Sequence, residues 1–404
     1  MEHKKRQWML PRHRWATEIL RPIIGTYTRW KYNIKVERFK EQRKRAYLIL
    51  MNHQTAFDQF FVAMAFRGPV YYVATDDLFS NGWVSSVIRW LVAPIPIKKQ
   101  ATDPAAVMNC LRIARDGGTI ALAPEGNRTY SGETAYINPA IAGMARKMKL
   151  PIALFRIEGG YGIQPRWSDV VRKGKMRAYV SRVIEPEEYA AMTTEELVRE
   201  IEQGLYVNEG VADAIFRSAK RAEYLERAMY VCPFCGLSEF ESHGHRVTCK
   251  GCGKGVEYGE DKRLTGVDCR FPHEFVTQWY AYQENFINNL NLLEYTKTPV
   301  YRDRARFSEV ILNKRKELLQ KDASIALYGD RMVVGEGSDH AQVFPFDEIL
   351  AASVLGRNKL NIYHGKAVYQ FKGSKRFNAL KYVNFYHRYK NIIRGEANAK
   401  FLGL

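Results

Sequence analysis

Tyr47-Leu48-Ile49-Leu50-Met51-Asn52-His53-Gln54-Thr55-Ala56-Phe57-Asp58 runs an unbroken apolar segment straight into an H-x4-D box. The apolar half reads as a strand, and a helix starting near Thr55 follows it. Loops past such strand ends collect the reactive groups of open α/β sheets. His is the side chain whose ordinary pKa suits removal of a hydroxyl proton near neutrality, which makes His53 a candidate general base. A neutral imidazole needs its second nitrogen held by an acceptor, and Asp58 is placed to curl back and hold it. No Ser or Cys stands at a G-x-S-x-G elbow nearby, which favours direct attack by a substrate hydroxyl over a covalent intermediate. A His and an Asp at this spacing also arise by chance, so the box needs a second motif beside it.

That motif lies further along. Gly117-Gly118 ends a helix capped by Asp103, Thr119 to Ala123 reads as a short buried strand, and Pro124-Glu125-Gly126-Asn127-Arg128-Thr129 forms a loop past its end. Gly126 lets backbone approach a ligand, and the Arg128 guanidinium offers a fork of donors suited to phosphate.

With both boxes in place the chain resembles the 1-acyl-sn-glycerol-3-phosphate acyltransferases and related glycerolipid acyltransferases. Asn52 to Asp58 matches their N-H-x4-D motif and Pro124 to Thr129 their P-E-G-T-R-S motif. Ala93-Pro94-Ile95-Pro96-Ile97-Lys98-Lys99 looks like the second family block and Leu150 to Phe155 like the fourth, so the resemblance spans about residues 40–185. It implies an enzyme that moves a fatty acyl group from acyl-CoA or acyl carrier protein to a lysophospholipid hydroxyl, most simply lysophosphatidate. It further implies that His53 takes the hydroxyl proton, that Asp58 orients His53, and that Asn52, Glu125, Gly126, Asn127, Arg128 and Thr129 with Lys98 or Lys99 hold the acceptor. Two positions depart from the pattern. Asn127 replaces the usual Thr, and Lys98 or Lys99 stands where an Arg is expected, so a bidentate phosphate clamp becomes a point charge there. Another lysolipid acceptor therefore stays open, as does a catalytically silent scaffold on a membrane or a nucleic acid.

The chain has 404 residues, 46% of them hydrophobic, enough for more than one core. Its 62 Lys and Arg against 43 Asp and Glu leave a net charge of +19, concentrated early, at Lys4, Lys5, Arg6, Arg12, Arg14, Arg21, Arg29 and Lys31. Trp8, Trp15, Ile19, Ile23, Tyr27 and Trp30 are interleaved with these cations. Trp15, Ile19 and Ile23 share one helical face, the pattern of helices lying in an anionic membrane interface rather than on nucleic acid. Pro22 and Gly25 are expected to kink this segment or split it in two. No apolar run is long enough to span a bilayer and no signal-peptide pattern is present, so the expectation is peripheral attachment to the cytoplasmic face of a membrane.

Expected elements after the first box are strands over 70–74, 151–157 and 175–183 and helices over 81–92, 187–203 and 212–229. Trp83, Val87, Ile88, Trp90 and Leu91 form a stripe that reads as core or as the wall of an acyl channel. Two C-x-x-C-G knuckles, Cys232/Cys235 and Cys249/Cys252, give the four thiolates of a structural zinc ribbon, with iron or disulfides as alternatives. Cys110 and Cys269 read as ordinary buried thiols. Phe275, Trp279, Tyr282 and Phe286 keep helical spacing, and short strands with Gly-rich turns follow from Ser324, closed by a helix over 376–393. These last resemble a pleckstrin-homology-like or GRAM-like barrel. The expected organisation is interfacial helices over 1–40, an α/β acyltransferase domain over 41–225, a zinc ribbon over 226–262, a helical connector over 263–320 and an antiparallel β domain over 321–404.

Overall fold

The computed structural model describes residues 8–75, 83–97, 103–311 and 316–396. The chain divides into two units. The first comprises residues 1–129, 133–163 and 173–209; the second takes 130–132, 164–172 and 210–404. The expected boundary at residue 225 thus gives way to an interleaved division.

The first unit opens with α1 (Pro11–Tyr32) and β1 (Ile34–Val36), then β2 (Leu48–Met51), α2 (Asp58–Ala65), β3 (Val70–Thr75), α3 (Trp83–Val92) and β4 (Ile95–Ile97). It continues through α4 (Pro104–Arg115), β5 (Thr119–Leu122), α5 (Ala140–Met148), β6 (Ile152–Glu158), α6 (Gly160–Ile163), β7 (Met176–Ile184), α7 (Pro186–Ala190) and α8 (Thr194–Leu205). The strands form one sheet in the order β1-β7-β6-β2-β5-β3-β4, parallel except where β7 meets β6. Leu48, Ile49 and Leu50 in the central strand are all fully buried, because helices cover both faces of the sheet. Leu48, Leu50, Ile113, Ile141, Leu154 and Ile201 make the core with α4, α5 and α8. On the opposite face Phe66 meets Phe155.

Three sequence expectations need correction, and of the two outcomes expected at Pro22 the split does not occur. α1 is one helix with Pro22 inside it. Its buried residues, His13 and Ala16 before the proline and Gly25, Thr28 and Tyr32 after it, seat the whole length. Arg21 Nε donates to Ala63 O at 2.8 Å and Thr28 Oγ1 to Met64 Sδ at 3.3 Å, so packing on α2 offsets the roughly 3 kcal/mol that an interior proline costs. The span 187–203 holds two helices, α7 and α8, the second opened by a capping box between Thr193 and Glu196. Residues 212–229 form no α-helix, only bends and turns with a single 3-10 turn at Leu225–Arg227, because much of their backbone bonds outward: Phe216 N–H to Glu260 O, Ala222 N–H to Gly244 O and Tyr224 N–H to Ser242 Oγ. The stripe on α3 is neither core nor channel wall, since Trp83 is 78% and Trp90 58% exposed.

In the second unit the ribbon contains β8 (Val231–Cys232), β9 (Gly236–Leu237), β10 (Phe240–His243), β11 (Arg246–Cys249), β12 (Gly255–Tyr258) and β13 (Leu264–Val267). β13 pairs with β12, so the ribbon sheet runs past residue 262. The expected helical connector is only partly helical: α9 (Val276–Asn288) is followed by β14 (Tyr301–Glu309), the first strand of the next sheet. β15 (Glu317–Leu327), β16 (Arg331–Val334), β17 (Gln342–Pro345), β18 (Ile349–Leu355), β19 (Lys359–His364) and β20 (Ala367–Gly373) complete it, in the order β17-β16-β15-β14-β20-β19-β18. All its pairings are antiparallel, giving two meanders joined through β14 and β20, closed by α10 (Leu380–Arg394). Phe307 stacks on Phe371 with centroids 4.7 Å apart and lies within reach of Phe344 and Tyr369. Phe307→Ala removes a fully buried ring and is expected to destabilise this half-barrel by about 3–5 kcal/mol, read as a lower denaturant midpoint.

Candidate active site

β2 ends at Met51 and its next residue is tied down at once. Asn52 Nδ2 donates to Ile157 O at 2.8 Å and its Oδ1 accepts the Ile157 N–H at 2.7 Å. Both ends of the amide are spent on the neighbouring strand, and the residue is fully buried, so Asn52 fixes the exit of β2 rather than facing a ligand.

The loop that follows folds around one carboxylate. Asp58, wholly buried at the start of α2, accepts from Gln54 N–H at 2.7 Å, from Thr55 N–H at 2.9 Å and from Thr55 Oγ1 at 2.7 Å. His53 Nδ1 lies 2.8 Å from Asp58 Oδ2. Placing the proton on Nδ1, where the carboxylate accepts it, leaves Nε2 with a lone pair, and the His53 side chain is about one quarter exposed. That is the arrangement of an oriented, accessible base.

Two further contacts support the loop from below. Gln54 Oε1 accepts the Tyr161 N–H at 2.8 Å. A Cβ on Gly160 would stand 2.6 Å from Gln54 Cβ, so only glycine lets the loop settle there. Buried Glu209 accepts from Gly159 N–H and, at 3.3 Å, from Gly162 N–H. Sequence reasoning missed Gln54, Thr55, Gly160 and Glu209. Thr55, three residues ahead of Asp58, shows capping-box spacing and was legible in principle; Glu209 carries no local signal.

The second box packs beside the first. Glu125 is buried, with Oε1 accepting the His53 N–H at 2.7 Å and Oε2 the Ala135 N–H at 2.7 Å. Thr129 N–H donates to His53 O at 3.2 Å. The backbone of His53 is therefore held on both sides by the Glu125–Thr129 loop. Burial pushes the Glu125 carboxyl up to about 8, against the two N–H donors that favour its charged form. Asn127 and Thr129 are buried, Arg128 is half-buried, and Gly126 is exposed in the left-handed region at φ +71°. Gly126 is thus the exposed member of this box, whereas Glu125 is occupied by protein backbone. Lys98 and Lys99 lie outside the described residues.

In the second unit the four knuckle thiols come together, their sulfurs all within 4.8 Å of one another. Cys232 Sγ is 3.7 Å from Cys252 Sγ, and Cys235 Sγ 3.5 Å from Cys249 Sγ. A tetrahedral ion with bonds of about 2.3 Å separates its thiolates by about 3.7 Å, so the cluster fits a metal. His243 and His245 are exposed and face Glu241 and Glu257 instead. Cys110 is buried as expected; Cys269 is only half-buried.

Residues 33–157 match the Acyltransferase family model. Both boxes fall inside the matched segment. The crystal structure of the 1-acyl-sn-glycerophosphate (LPA) acyltransferase PlsC from Thermotoga maritima is similar at 19% sequence identity and a TM-score of 0.41, over 47% of this chain and 77% of that one. No curated protein matches the chain significantly.

Glu125 gives the first unit a testable pH signature. A carboxyl that titrates at about 8 when folded and 4.5 when unfolded binds more protons in the native state between those values, so stability falls as pH rises through that window. Glu125→Gln is expected to flatten that slope in pH-dependent denaturation. Because an amide accepts at only one of its two ends, the same variant is expected to lose about tenfold or more in kcat/KM.

Proposed function

We propose that the chain transfers a fatty acyl group from acyl-CoA or acyl carrier protein to the free hydroxyl of a lysophospholipid at a membrane surface, most simply converting 1-acylglycerol 3-phosphate to phosphatidic acid. The observation that carries this reading is the His53–Asp58 pair, 2.8 Å apart, with the His53 side chain about one quarter exposed, inside a segment matching acyltransferases. In the proposed cycle His53 Nε2 takes the proton as the acceptor hydroxyl attacks the thioester carbonyl. The tetrahedral oxyanion then collapses, the C–S bond breaks, and the departing thiolate recovers the proton from the imidazolium. Asp58 fixes the ring and stabilises its charged form. Gly126 and Arg128 hold the acceptor phosphate, with Lys98 or Lys99 contributing charge. Lysine at those two positions, where related enzymes place arginine, favours one second reading: a different lysolipid headgroup on the same chemistry.

Membrane attachment in this reading falls to α1 and α3. Trp15, Ile19, Ile23, Tyr27 and Trp30 on α1, and Trp83, Val87 and Trp90 on α3, are all exposed. Arg12, with Nε 3.0 Å from Trp90 O and its guanidinium over the Trp90 ring, joins the two helices. Aromatic residues beside Arg and Lys suit the headgroup layer of an anionic bilayer. No described helix is long and apolar enough to cross one. The four knuckle cysteines would hold a zinc ion as a closed structural centre, which supplies folding energy to the ribbon and no step of acyl transfer. We further propose that the half-barrel is a pleckstrin-homology-like or GRAM-like docking module.

His53→Ala is expected to lower acyl transfer from labelled acyl-CoA to lysophosphatidate by about 10²- to 10⁴-fold with circular dichroism unchanged. Transfer persisting at the wild-type rate would remove His53 from the chemistry. Replacing Trp15, Trp30 and Trp83 together by Ser is expected to reduce cosedimentation with phosphatidylserine-containing vesicles by about tenfold or more, without lowering thermal stability, because these rings are exposed.

A further inference from the structure

The last turns of α1 read Tyr27-Thr28-Arg29-Trp30-Lys31-Tyr32. Tyr27 and Lys31 are four apart and share a helical face. Phe57, the residue before Asp58 at the start of α2, meets that face: its ring centre lies 6.2 Å from that of Tyr27 and 5.3 Å from that of Tyr32. The half-buried Lys31 ammonium is seated among the three rings, 4.6 Å from the centre of Phe57, 5.3 Å from Tyr32 and 5.5 Å from Tyr27. All of these residues belong to the first unit.

This seat leaves the lysine charged and available. A ring attracts a cation through its quadrupole and brings no charge of its own, so the ammonium is held without being neutralised. It donates to the Tyr27 hydroxyl at 3.3 Å, and Glu37, the nearest acid in sequence, pairs with Arg177 instead. Among the described residues no carboxylate pairs with Lys31. Three N–H donors stand on an ammonium, so two are left for a ligand. The rings also restrict a side chain that would otherwise sample many rotamers, which lowers the entropy lost when an anion binds.

The seat is tied to the loop that carries His53. Phe57 N–H donates to Thr55 Oγ1 at 3.0 Å, and Thr55 Oγ1 donates in turn to Asp58 Oδ1 at 2.7 Å. Phe57 therefore takes its position from the same carboxylate that orients the His53 ring.

We propose that Lys31, seated on Tyr27, Tyr32 and Phe57, binds the phosphate of a phospholipid headgroup beside the His53–Asp58 loop. This rests on reading the chain as a lysophospholipid acyltransferase at a membrane surface. The phosphate is the acceptor's own or that of a bilayer lipid, and the same donors serve both. An anionic oxygen suits this cation because charge-assisted hydrogen bonds are the stronger ones. The seat also sets a preference. A headgroup with its own quaternary ammonium, as in lysophosphatidylcholine, meets a like charge already occupying the rings, so acceptors without one are favoured.

The test uses the full-length protein as wild type, Lys31→Met and Lys31→Arg. Lys31→Met removes the charge and keeps the rings covered, because a thioether packs well on aromatic faces, and circular dichroism checks that the fold is kept. One arm titrates short-chain lysophosphatidate, and separately lysophosphatidylcholine, as monomers by calorimetry. The other follows cosedimentation with phosphatidylserine-containing vesicles free of lysolipid. Lys31→Met is expected to weaken binding by about tenfold, the worth of one charge-assisted hydrogen bond at a half-exposed site, and Lys31→Arg to stay within about threefold of wild type. Loss confined to lysophosphatidate assigns the site to the acceptor; loss of vesicle binding assigns it to the bilayer. Unchanged binding in both arms would overturn the site, and so would equal losses in Lys31→Met and Lys31→Arg, since the second keeps the charge. Equal losses for lysophosphatidate and lysophosphatidylcholine would remove the headgroup preference. Both arms read binding, so they decide the site even if wild type transfers no acyl group, a result that would overturn the proposed reaction instead.

Discussion

A single buried carboxylate organises the catalytic loop. Asp58 has no exposure to water, and an ion so placed is tolerated only when donors replace its hydration. Three backbone or hydroxyl donors from Gln54 and Thr55, the imidazole of His53 and the amino end of α2 do so together. The bonds that satisfy the charge are also the bonds that define the loop, so the position of the His53 ring follows from the solvation of Asp58. Removing the carboxylate leaves several donors unmet as well as freeing one ring nitrogen. Chemistry and local folding cannot be separated at this residue.

Around that centre polar side chains are engaged with backbone, among them Asn52 and Glu125, which the motifs marked as ligand contacts. Asn52 ties β2 to β6, Gln54 ties the loop to α6, and Glu125 joins the amides of His53 and Ala135. The two buried carboxylates beside His53 differ in what surrounds them. Asp58 collects three backbone or hydroxyl donors besides the His53 ring, whereas Glu125 has two amide donors, and burial pushes its carboxyl up to about 8. His53, flanked in this way, is held through both its ring and its main chain.

What was legible in the sequence follows from how local each cause is. β2, α2, α4 and β5 are written in short-range signals: an unbroken apolar run, the Asp103 cap, the Gly117-Gly118 stop. The pairing of His53 with Asp58 is local as well. Pro22 does not split α1, because contacts that keep the helix whole come from α2, distant in sequence. Residues 212–229 have helix-forming composition, yet Glu223 and Glu226 both bind Arg376, and Tyr224 sits at φ +75°. Such partners are invisible to a window of neighbours. Glu125 was assigned to the acceptor because a motif records which residue stands at a position and not which way it faces. The knuckle spacing, by contrast, carried full information, since four thiols with one centre leave little freedom.

The stripe on α3 shows the limit of periodicity in another way. Helical spacing of Trp83, Val87 and Trp90 tells that they share a face; it is silent on what covers that face. In α3 the buried position is Ser85 and the large rings point away from the protein, the reverse of a helix packed for water. α1 does the same, with small Ala16, Gly25 and Thr28 turned inward and Trp15, Ile23 and Trp30 outward. The small inward residues Gly25 and Thr28 lie against Met64 of α2 and seat α1 on that helix. Aromatic residues outside place apolar area where water would penalise it and a lipid headgroup layer would not. The two choices reinforce each other, because a helix can spend its large side chains on the outer face only if small ones suffice for the inner. Both helices thus turn large apolar side chains outward, although neither is long and apolar enough to cross a membrane.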